Sequence, residues 1–200
     1  MKKKSLALVL ALAMIVVCVV GGTLAWLTDK TAPVTNTFTY GDINIKLEET
    51  GTTAAADGSA TKEFKMIPGY TITKDPKVTV LAGSEKCYLF VKVVKSTNFD
   101  NFMTYDMAAG WTQLKDASGN DVDGVFYREV DTDQMGTPIS VLKNDQVTVK
   151  DTVTKADMNA LTADTQPTLT FTAYACQYNN SNGTNFTPAQ AWAKVNPTTT

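Results

Sequence analysis

The sequence predicts an all-β fold: an antiparallel, jelly-roll-like sandwich with a few short helices, preceded by an N-terminal signal peptide. Three observations lead there. Threonine is abundant and spread along the chain with Val, Tyr and Phe, the residues that suit a pleated, half-buried surface. Short apolar runs of strand length recur between Gly, Pro, Asn and Asp turn signals. No strand–helix–strand rhythm, long helix or repeat interrupts them, which favours antiparallel over parallel sheet. With 200 residues, 44% of them hydrophobic and 19% charged, the chain can fill one core and is too apolar to stay unfolded.

The N-terminus reads as an export address. Lys2, Lys3 and Lys4 precede the uncharged run Ser5 to Val20, and the small residues Gly21, Gly22 and Thr23 end it. That run is short for a stable membrane span. Thr23-Leu24-Ala25 meets the small-x-small rule, which places cleavage between Ala25 and Trp26. Cys18 is an apolar filler of this leader, because Val16-Val17 ahead of it does not suit lipoprotein processing. The expected division is a signal peptide over 1–25, an extended segment over 26–38 and a β-sandwich domain over 39–200. Residues 1–25 carry three lysines and no acid, so residues 26–200 hold 15 basic and 20 acidic side chains, a formal charge of −5.

The strands follow in order. Ile43 to Glu48 alternates apolar and polar with period two. Phe38 and Tyr40 carry the opposite parity, so a break or bulge is expected across Gly41-Asp42. Residues 50–62 lack periodicity and read as a surface loop. Pro68-Gly69 marks a turn, with short strands at Thr71 to Thr73 and Lys77 to Leu81 and another turn at Gly83-Ser84. Cys87 to Lys95 is apolar on both parities, as a mid-sheet strand covered on both faces should be. Asn98 to Met107 places Phe99, Phe102, Met103 and Met107 at helical spacing. Trp111 to Leu114 and Val125 to Val130 bracket the polar hairpin loop 116–124. Short strands at Ile139 to Leu142 and Gln146 to Val149 flank Lys143-Asn144-Asp145, and Thr154 to Asp157 opens a weak helix. Pro167 to Tyr178 alternates as a long last strand, with Leu169, Phe171, Ala173 and Ala175 on one side. Thr187-Pro188 caps a C-terminal helix that carries Trp192.

The composition excludes much chemistry. There is no histidine, the usual base at neutral pH and the commonest metal ligand. No zinc-binding helix, nucleophile elbow or phosphate loop occurs, so no catalytic residue, cofactor or metal site is expected. An acidic balance gives nucleic acid nothing to bind. Asp116, Asn120, Asp121 and Asp123 share one loop, but their spacing is not that of a calcium loop, and a solvated hairpin tip is the better reading. Asp131 and Asp133 are read likewise. Tyr70, Tyr88, Tyr174, Tyr178, Trp111 and Trp192 read as core or cross-strand ladders ahead of a ligand groove. Export permits a Cys87–Cys176 disulfide, although strand parity sets the two on different faces, and the sequence leaves the bridge open.

Gly21 to Asp29, followed by Asn36 to Leu47, resembles the start of the TasA and camelysin-like exported proteins of Gram-positive bacteria. Pro68-Gly-Tyr-Thr-Ile-Thr-Lys-Asp-Pro76 resembles that family's second block. The resemblance covers the leader, 26–48 and 66–95, and implies a jelly roll, processing by a SipW-like signal peptidase and a secreted, cell-surface or biofilm-matrix location. It also implies a fibre subunit that polymerises with itself and meets other matrix or envelope proteins, touching the membrane only during export. The donor strand would be Trp26 to Phe38, anchored by Trp26, Leu27, Val34 and Phe38, if that segment does not pair within its own subunit. Two alternatives stand: a secreted surface-binding module using loops 50–62 and 116–124, and a camelysin-like metallopeptidase, which the absence of histidine disfavours.

Overall fold

The computed structural model describes residues 42–54 and 59–196. The chain divides into two units, Met1–Thr39 and Tyr40–Thr200, and every described residue falls in the second. The fold is mostly antiparallel β-sheet with a few short helices. The expected break at Gly41-Asp42 lies at the margin of the described residues, and Phe38 and Tyr40 lie outside them.

The first layer is a four-stranded sheet ordered β12 (Leu169–Gln177), β6 (Cys87–Lys95), β9 (Asp121–Val130) and β8 (Thr112–Lys115). β6 lies inside it, paired from Cys87↔Gln177 to Lys95↔Leu169 on one side and from Cys87↔Val130 to Lys92↔Val125 on the other. Its first five residues are all buried, which is why they are apolar on both parities.

The second layer is two three-stranded sheets that continue one another. One is β1 (Ile45–Glu48), β5 (Lys77–Val80) and β10 (Ile139–Ser140), and the other β4 (Thr71–Thr73), β11 (Gln146–Val149) and β7 (Met103–Thr104). Residues 71–80 run antiparallel to residues 139–149, and both runs are interrupted at the same level. Pro76 lacks an N–H and breaks the first; Asn144 and Asp145, at φ 57° and 53°, break the second. The facing groups are still satisfied, since Lys74 N–H donates to the Asp145 carbonyl (2.8 Å) and Val141 N–H to that of Pro76 (3.0 Å).

Cys87, Leu89, Val91 and Val93 of β6 face Val78 and Val80 of β5 and Val141, forming the centre of the core. Ile72, Val147, Val149 and Met103 extend it beneath Phe99 and Phe102. On the outer face of the four-stranded sheet, helix α3 (Pro188–Val195) packs Ala191 and Trp192 onto Tyr88, Phe90, Leu114 and Val125. α3 begins as the sequence predicts. Thr187 Oγ1 accepts from Gln190 N–H, the Gln190 side chain accepts from Thr187 N–H, and Pro188 sits in the first turn.

Three expectations change. The helix expected over 98–107 is one turn, α1 (Phe99–Phe102), after which Met103 and Thr104 become β7 against Val149 and Thr148. Sheet pairing that buries Met103 outweighs a weak local preference. The loop at 50–62 contains a short hairpin, β2 (Thr53–Ala54) with β3 (Ala60–Thr61), of which 55–58 lie outside the described residues. The hairpin loop of 116–124 shortens because β9 already starts at Asp121. The weak helix near Thr154 forms as α2 (Lys155–Asn159), capped by Thr154.

Candidate functional site

The feature that could bind another chain is the flank where β1 and β12 run beside each other. β1 pairs with β5, β12 pairs with β6, and among the described residues neither has a strand on its outer side. Cross-strand partners share a face of the sheet. Leu47 therefore projects inward with its partner Val78, yet Leu47 is 36% exposed where Val78 is 0%. Ile43 and Ile45 pack on the core and remain partly exposed.

β12 repeats the pattern. Leu169, Phe171, Ala173 and Ala175 face the core, and all four are only half-buried. Their partners one strand inward, Val91 opposite Ala173 and Leu89 opposite Ala175, are fully buried. Two of the four inward side chains, Ala173 and Ala175, are small. The result is an apolar seam floored by small side chains and bordered by strand edges whose outward N–H and C=O groups pair with no described strand.

An ion pair closes one end of the seam. Lys74 Nζ lies 2.8 Å from Glu49 Oε2, with the two side chains 13% and 11% exposed. The same ammonium stands 5.3 Å from the Phe171 ring and 5.5 Å from that of Phe64. Glu49 Oε1 is buried without a partner. Next to it, burial works to raise the Asp75 carboxyl, but hydrogen bonds from Thr50 Oγ1 (2.7 Å) and Thr50 N–H (3.1 Å) outweigh it and hold Asp75 below its ordinary value.

The residues expected to fill such a seam, Trp26, Leu27, Val34 and Phe38, lie outside the described residues, as does the cleavage site Ala25–Trp26. Cys87 and Cys176 are free and buried. The strand register gives the reason they are unbridged: Cys176 pairs with Tyr88, so it shares the outer face with Trp192, while Cys87 points into the core between the layers.

The aromatic residues separate. Tyr88, Tyr174, Tyr178 and Trp192 form one ladder with ring separations of 5.0 Å (Tyr88–Tyr178) and 5.2 Å (Tyr174–Trp192), which is packing beneath α3. Burial pushes the Tyr88 hydroxyl well above its ordinary range, and its O–H donates to the Phe186 carbonyl. Tyr70 stands 57% exposed beyond the Pro68-Gly69 turn, and Trp111 lies on the inner face near Ser140.

Two carboxylates of the 116–124 loop, Asp116 and Asp121, serve the hairpin itself. Asp116 accepts from Ser118 N–H (2.8 Å) and Asn120 N–H (2.9 Å), and the Asn120 bonds foremost hold it below its ordinary pKa; Asp121 pairs with Lys115 at 2.6 Å. Among the described residues no three potential ligands cluster to hold a metal ion, and no helix is long and apolar enough to cross a membrane.

No family model, curated protein or solved structure matches this chain. The seam itself was missed in the sequence. Its trace is the pair of alanines at inward positions of a strand whose other inward residues are Leu169 and Phe171.

Proposed function

We propose that this chain is an exported structural subunit, of the TasA-like kind its sequence resembles, that assembles when residues Trp26 to Phe38 of one copy occupy the β1–β12 seam of the next. The observation that carries the reading is a row of inward-facing apolar residues, Leu47, Leu169, Phe171, Ala173 and Ala175, left partly exposed between two strands unpaired on that side. An added strand would satisfy both edges and bury that row, at about 25 cal/mol per Å² of apolar surface removed from water.

The jelly-roll reading supports this one. A jelly roll is a long hairpin rolled up, which pairs early runs with late ones. Here residues 71–80 pair with 139–149, and β6 pairs with both β9 and β12. Such winding brings the first and last strands together, and β1 and β12 do run side by side. In this reading residues 1–25 are the cleaved leader, a SipW-like peptidase removes them, and the product acts at the cell surface or in an extracellular matrix.

Electron microscopy and sedimentation of the purified 26–200 protein test it. Fibres are expected, and deletion of 26–35 should abolish them while the circular dichroism of the sandwich persists. Unchanged polymerisation by the deletion variant refutes strand donation, and a strictly monomeric parent refutes assembly.

A further inference from the structure

We propose that Arg128, seated against Gly110 and the Trp111 ring, forms a binding site for a small ligand bearing a carboxylate group. Arg128 is the only arginine in the chain; the other 17 basic residues are lysines. Every ion pair found among the described residues uses a lysine. The single guanidinium takes part in none of them.

Its setting is built. Arg128 pairs with Leu89 across β9 and β6, which directs it to the inner face of the sheet, two strands away from β12. A Cβ on Gly110 would lie 3.3 Å from Nη1 and 3.4 Å from both Cζ and Nη2, so the guanidinium lies flat over the glycine. Gly110 holds φ +89°, which a side chain would strain as well. The Trp111 ring stands 5.7 Å from Cζ, and its own Nε1–H donates to the Ser140 carbonyl (2.9 Å), which fixes the ring.

Arg128 Nε is buried with no hydrogen-bond partner, although the side chain as a whole remains partly exposed. Burial lowers the pKa of the guanidinium, and among the described residues no acid offsets it. A half-desolvated, uncompensated cation is costly, and an anion that pairs with it recovers that cost. The fork of Nη1 and Nη2 matches the two oxygens of a carboxylate, a geometry that lysine cannot supply.

A ¹H–¹⁵N titration of the full-length protein tests this directly, because one arginine gives one Arg Nε–H signal. Sodium acetate should move that signal and the Trp111 indole signal saturably, whereas sodium chloride at equal ionic strength should not. In Arg128→Lys the acetate response of the Trp111 signal should weaken at least tenfold. An acetate response no larger than that of chloride overturns the proposal, as does a response retained in Arg128→Lys. A response to inorganic phosphate without one to acetate overturns the carboxylate assignment. If Arg128→Lys does not fold, the titration of the parent protein decides alone.

Discussion

Gly124 lies inside β9 at φ +64°, and a Cβ there would collide with the carbonyl oxygen of Val93 on β6. Glycine is needed twice over, for the backbone angle and for the close approach of the two strands. Gly124→Ala is expected to cost about 2–4 kcal/mol, read as a lower midpoint in urea with an unchanged slope. The cysteines show what burial does to a titrating group. Burial foremost, with the neighbouring Cys176 adding to it, pushes the Cys87 thiol from its ordinary 9.0 to about 11, and burial raises Cys176 too. Both should resist alkylation in the native protein at pH 8 and react once it is unfolded. A thiol whose pKa rises on folding favours the folded state fully below pH 9. Above that the unfolded chain loses the proton first, so stability should fall between pH 9 and about 11, measurable by thermal melts across that range.

At the scale of elements, each strand reads clearly where one neighbour decides its fate and poorly where two compete. β6 and α3 formed where the sequence indicated, because a doubly apolar run suits only a covered position and Thr187-Pro188 is a cap in itself. The segment after Asn98 misled, since Phe99, Phe102 and Met103 satisfy helical spacing and yet Met103 is buried by pairing with Val149. β12 carries the prediction specific to the seam. Ala175 faces the core but is half-buried, so Ala175→Leu has room in the monomer and should change its stability by less than about 1.5 kcal/mol. The same leucine would occupy the place of an incoming strand. Fibre yield by sedimentation should drop at least tenfold, and fibres formed at the parental rate would count against the seam as the docking place.

For the whole molecule, charge works against the proposed assembly. Residues 26–200 carry a formal charge of −5, so copies brought end to end repel, while an added strand is held by apolar burial and backbone hydrogen bonds that salt does not weaken. Raising NaCl from 20 mM to 300 mM shortens the screening length from about 20 Å to about 6 Å. Light scattering should then show faster polymerisation. Slower assembly in salt would mean that ion pairs, and not strand addition, join the subunits.

The sequence alone determined the class of this protein: an all-β chain with a covered central strand, a capped C-terminal helix and no imidazole chemistry. Those features are local, since period, composition and turn residues act within a few positions of one another. Only the tertiary structure decided that Cys87 and Cys176 stay unbridged, that β1 and β12 meet with their inward residues half-covered, and that the lone arginine lies over Gly110 beside Trp111. Each of these depends on which strand lies beside which. Pairing across tens of residues is settled by competition among whole layers for burial, which no short stretch of sequence encodes.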